Sequence, residues 1–253
     1  MNAIRQFRVV VLVFASALVS ACGSDSSVAP DRRPADLGEV LAEMSLPSFT
    51  GVIVPELSMV PSAATLTPSS CSYSGASQSF VCPVVTTSGL TFTRSFTLLS
   101  ASGTPQSQFD PAATAAVRTS STTAGTVSND GITFTLDGHD ELTLTGLLTG
   151  VHTLNGTSVM HMHGTDAGSS EPFTMSMTTT IDKLVLPAAA ADKWPKSGSI
   201  LADMTMSFEG TATTMHMQLS FNGTSKMLAV MTSDDFTTSC TVDLENQSAV
   251  CAP

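Results

Sequence analysis

From Leu90 onward the chain keeps a period of two, and that period limits what it can become. Leu90, Phe92, Phe96 and Leu98 alternate with Thr91, Thr93, Ser95 and Thr97. Ile132, Phe134 and Leu136 repeat the pattern, as do Phe173, Met175 and Met177, then Met204, Met206 and Phe208, then Met215, Met217, Leu219 and Phe221. Successive side chains of a strand point to opposite faces, so each stretch reads as a strand with one apolar and one hydroxyl-rich face. Asp137-Gly138, Asn155-Gly156 and Asn222-Gly223 are the dipeptides that two-residue hairpin turns favour, and the chain is expected to reverse at all three. The fold class is therefore mainly β: an antiparallel meander curling into a barrel, half-barrel or sandwich, because long open edges invite unwanted pairing.

The strands are preceded by a different pattern. Asp36 and Glu39 have capping-box spacing, and Leu37, Val40, Leu41 and Met44 follow at helical intervals. One short N-terminal amphipathic helix is expected over 37–45. Pro47, Pro55, Pro61 and Pro68 break up the next stretch, leaving room for a short strand at 51–54. Residues 187–198, bracketed by Pro187 and Pro195, form the main later interruption and have room for a helical turn. Residues 35–253 are expected to make a single β-rich domain.

The leader speaks to location. Arg5 and Arg8 precede a short apolar run, Val9 to Ala15, and small residues then lead to Cys22. A charged start, a run too short to span a bilayer and a small-residue cleavage region describe a secretory signal over 1–21. Val19-Ser20-Ala21-Cys22 resembles the lipobox of bacterial lipoprotein precursors, with Val19 where leucine is usual and Leu18 one place earlier. The resemblance covers the leader only. It implies that Cys22 is diacylated and becomes the mature N-terminus, that the membrane is a partner through that lipid, and that Gly23 directs sorting to the bacterial outer membrane. The anchored domain would face the periplasm or the cell surface. Residues 22–34 are polar and aperiodic, as a flexible tether would be. Losing Arg5 and Arg8 with the leader takes the formal charge from −11 to −13. Nucleic acid needs a basic footprint, so it is excluded as a partner.

Four further cysteines fall in two matching segments, Cys71 to Cys82 and Cys240 to Cys251, each C-x10-C and each ending Gln-Ser-x-Val-Cys. Exported chains favour disulfides. Folding each segment about its middle sets Tyr73 against Phe80 and Val242 against Ala249, with Asn246 in the second turn. Directly opposed strand positions lie at a separation that a disulfide spans. Two stapled hairpins, Cys71–Cys82 and Cys240–Cys251, are therefore expected. The competing connectivity joins the two segments to each other.

Two residue types remain to be placed. Met160, Met162, Met175, Met177, Met204, Met206, Met215 and Met217 all fall in expected strands. Thioethers are soft ligands for Cu(I), but methionine also fills irregular cores and lines cavities that take apolar ligands. A turn at Asn155-Gly156 would set His152 opposite Val159. That would bring His152, His161 and His163 to one face, a candidate copper or zinc site, with Met160 and Met162 on the other. Solvated histidines in a threonine-rich sheet are the plainer alternative. Asp137, His139, Asp140 and Glu141 would crowd the tip of the Asp137-Gly138 hairpin, where turn chemistry accounts for them better than calcium does. The chain has no nucleophile elbow, H-E-x-x-H or phosphate-binding glycine loop. It reads as a lipid-anchored envelope protein with a non-catalytic role, structural or binding a protein partner or apolar ligand. A metal-handling protein using the histidines with nearby methionine is the alternative.

Overall fold

Alternation over this length produces strands longer than the usual five or six residues. The computed structural model describes residues 71–129, 132–166, 172–187, 194–208, 211–234, 236–246 and 248–252. The leader, Cys22, the tether, the expected helix over 37–45, the strand at 51–54 and residues 188–193 lie outside them. Among the described residues the elements are β1 (Ser72–Ser74), β2 (Ser79–Val81), β3 (Val85–Thr87), β4 (Leu90–Ser100), β5 (Pro105–Gln106), β6 (Thr114–Asn129) and β7 (Ile132–Thr145). They continue with β8 (Thr153–Asp166), β9 (Pro172–Val185), β10 (Ser197–Phe208), β11 (Thr211–Phe221), β12 (Lys226–Ser233), β13 (Thr237–Asp243) and β14 (Ser248–Cys251).

These make one sheet of 14 strands in the order β1-β2-β4-β6-β7-β8-β9-β10-β11-β12-β13-β14, with β3 and β5 both paired to β4. Neighbours in the path are nearly always neighbours in sequence, which is the expected meander. Among the described residues the path has two ends, β1 and β14, which do not pair with each other. Two compact units divide the chain. Among the described residues the smaller takes in 225–229 and 238–252, and the larger 71–224 and 230–237.

Both cysteine hairpins form as expected. In the larger unit Cys71 bonds Cys82, and β1 pairs β2 with Tyr73 opposite Phe80. Those two rings meet edge to face, and Phe80 stacks on Phe96 at 4.7 Å between centroids. In the smaller unit Cys240 bonds Cys251, and Val242 stands opposite Ala249. Val242 and Cys240 are buried there with Met227, Ala229 and Leu244.

Two of the three expected turns are not turns. β7 runs unbroken through Asp137-Gly138, which pair with Ala124 and Thr123 on one side and with His161 and Met160 on the other. The reversal before β7 precedes Ile132, and the next is the loop after Thr145, where the amides of Thr149 and Gly150 donate to the Gly146 carbonyl. Asn155-Gly156 is likewise internal to β8. A local turn preference is outweighed when ladders on both flanks satisfy the backbone. Only Asn222-Gly223 behaves as expected: it follows β11, Gly223 has φ +84°, and Asn222 Oδ1 accepts from the amide and hydroxyl of Thr224.

Within the larger unit, directly opposed residues line up as rows across the strands. Leu98, Val117, Leu144, Leu154 and Leu184 form one row. Phe96, Thr119, Leu142, Gly156, Ile181, Ile200 and Leu219 form the next. Most of these side chains are buried, and the core lies on this face.

Candidate functional site

Along the same face the aliphatic rows give way to methionine. Across β8, β9, β10 and β11 the register sets Met160 against Met177, Met177 against Met204, and Met204 against Met215. One step along, Met162 faces Met175 and Met175 faces Met206. Opposed residues on neighbouring strands have Cβ atoms about 4.5–5.5 Å apart, so each row is a continuous ladder of adjacent methionine positions. Met217 lies two residues from Met215 on the same face. Eight of the 13 methionines of the chain are gathered here.

The ladder is graded in exposure. Met175 is 3 % exposed, Met204 7 % and Met162 8 %. Met160, Met177, Met206, Met215 and Met217 are half-buried. At one end of the Met160 row stands Gly138, the β7 partner of Met160. A Cβ there would come no closer than 3.6 Å to any neighbour, and its φ is not positive. Neither backbone conformation nor crowding calls for glycine at this position, although glycine weakens a strand.

Between the aliphatic and methionine rows runs a polar one: Arg94, Ser121, Asp140, Ser158 and Thr179. Ser121 donates its hydroxyl to Asp140 Oδ2 at 2.9 Å. Periodicity gives no warning of this row, because serine and threonine occur at nearly every other position of these strands. The signal that marks it is Arg94, a charge set in the apolar phase of the Leu90–Leu98 alternation.

The opposite face carries the histidines, and the expected three-imidazole cluster does not assemble. His161 and His163 are exposed on β8, opposite Asp137 and Thr135. His152 precedes β8, nine residues from His161, which is about 30 Å along an extended strand. The cluster depends on a turn at Asn155-Gly156, and the chain runs straight there. Among the described residues no group of three or more histidine, cysteine, aspartate or glutamate side chains is placed to hold a metal. His139 lies 3.4 Å from Glu141, and His216 shares a hydrogen bond with Asp203, both pairs well exposed. The acids expected at a hairpin tip are divided by the pleat. Asp137, His139 and Glu141 fall on the outer face, and Asp140 on the methionine face.

The fold and this face together define a β-sheet protein with an apolar, methionine-lined surface on four consecutive strands. No protein-family model matches the chain, and neither a curated protein nor a solved structure matches it.

Proposed function

We propose that the protein is a lipid-anchored component of a bacterial outer membrane with a non-catalytic binding role, and that the methionine face receives an apolar ligand. The half-exposure of five methionines on one face of four consecutive strands carries this reading. Methionine is unbranched and polarizable, so a surface built from it adapts to the shape of what it covers. Displacing water from such a surface is favourable at about 25 cal/mol per Å² of apolar area. The lipobox-like leader ending at Cys22 supports the anchor, and the acidic balance fits no nucleic-acid role.

Titration with an environment-sensitive apolar dye and with a long-chain fatty acid tests the binding face. Saturable micromolar binding is expected. Gly138→Leu sets a bulky side chain opposite Met160 and should weaken that binding by about tenfold or more, with thermal stability followed in parallel. Undiminished affinity in a folded Gly138→Leu protein would refute the assignment of the face.

A further inference from the structure

The methionine rows hold more chemistry than an apolar ligand requires. Beyond the polar row, the same strands carry Ile181, Ile200 and Leu219 on this face, so they pack well with branched aliphatics. Strands favour branched and aromatic residues over methionine. A face needing only hydrophobic filler has no reason to switch to methionine in two adjacent rows. What the thioether adds is a soft, neutral donor sulfur, the ligand type that selects Cu(I).

We propose that Met175, Met177, Met204 and Met206 form an all-thioether site for Cu(I). Met177 opposes Met204, and Met175 opposes Met206. Their Cβ atoms mark the corners of a rectangle about 5 Å across the strands and about 7 Å along them. Each sulfur lies two bonds beyond its Cβ, which lets four of them meet over the centre. Met160 and Met162 flank this rectangle on β8 as directly opposed partners of Met177 and Met175.

Burial and charge favour the same ion. Met175 and Met204 are buried whereas Met177 and Met206 are half-buried, so the sulfurs span from the core to a solvent-accessible rim. A monovalent cation loses less hydration on entering such a site than a divalent one, and neutral donors leave it one positive charge. Asp140, two strands from β9 on this face, offsets that charge and lies nearer than Arg94, which is two strands further away in the same row. His139, His161, His163 and His216 are on the opposite face of the sheet and take no part. This site does not rest on the apolar-ligand function proposed above.

The test uses the full chain carrying Cys22→Ser, which removes the one cysteine outside the two disulfides. Cu(I), kept reduced with ascorbate under argon, is titrated against a chromophoric Cu(I) chelator, and Ag(I) is added to protein labelled with ¹³C at the methionine methyls. One equivalent of tightly held Cu(I) is expected, with shifts at the methyls of Met175, Met177, Met204 and Met206. The double variant Met177→Leu/Met204→Leu nearly conserves volume. It should lose Cu(I) affinity by at least about tenfold while keeping its melting temperature. His161→Ala/His163→Ala should keep the Cu(I) affinity. Unmoved methionine methyls in excess Ag(I), or undiminished Cu(I) affinity in the folded double-leucine variant, would overturn the proposal. Failure of the protein without methionine substitutions to bind the dye would count only against the apolar-ligand reading.

Discussion

Asn155 and Gly156 show how one dipeptide can carry a signal and mislead about its use. Asn-Gly is favoured in tight turns because both residues tolerate unusual backbone angles and asparagine bonds to nearby amides. Both properties are used here, across strands instead of along one. Asn155 Oδ1 accepts the amide of Lys183 at 2.8 Å, where β9 bulges and Lys183 takes φ +48°. Gly156 has φ +155°, and a Cβ on it would overlap the Glu141 carbonyl oxygen. Gly156→Ala should therefore destabilise the protein by about 3 kcal/mol, read as a lowered denaturant midpoint. At the other end of the chain, Asp243 is the acceptor that closes the β13–β14 turn. Its carboxylate accepts from the side chain and amide of Asn246 and from the amide of Glu245. Those bonds, the Asn246 side chain foremost, hold its pKa below the ordinary value of 3.8. A carboxyl depressed by folding contributes stability above its unfolded pKa and loses it as pH falls through the lower folded value. Amide exchange at Glu245 and Asn246 should accelerate, relative to its intrinsic rate, as pH drops below about 4. Asp243→Asn should abolish that pH dependence.

At the scale of elements, the alternation is legible because its cause is geometric: a pleated strand half-buried in a sheet has no other economical pattern. The two cysteine hairpins are legible for a similar reason, since equal spacing fixes which residues can oppose one another. Register across strands is not legible. Nothing in the residues around Met160, Met177 and Met204 says that they share one row, because alignment depends on where distant loops end. The placement of the histidines fails at the same step, since a single misplaced turn shifts His152 from the company of His161 to the far end of β8. The hairpins themselves invite a measurement. Among the described residues β1 and β14 are the two ends of the strand path, where a sheet edge invites pairing with other chains, and each belongs to a disulfide-bonded pair. Each bond closes a loop with a sequence separation of 11, a constraint worth about 2–3 kcal/mol through the unfolded chain. Cys240→Ser/Cys251→Ser should lower unfolding free energy by about that amount. It should also raise the aggregation rate at the β14 edge, which light scattering during refolding would record.

On the scale of the whole molecule, the proposed anchoring would decide what the methionine face meets. Removal of residues 1–21 would leave a formal charge of −13, which would repel the protein from anionic headgroups. The proposed retention at a membrane would then come from a lipid on Cys22. One acyl chain binds only marginally and reversibly, whereas two or three on one cysteine make attachment stable. A domain anchored in this way would meet released apolar ligands or metal ions at the membrane surface. Cys22→Ser should convert the protein from a detergent-extracted membrane component to a species released in the soluble fraction, with its melting temperature unchanged. Intact-mass analysis of the wild-type chain should show the leader removed and a diacylglyceryl adduct at Cys22. An unmodified Cys22 with the protein still sedimenting with membranes would mean that a surface of the folded domain holds it there instead.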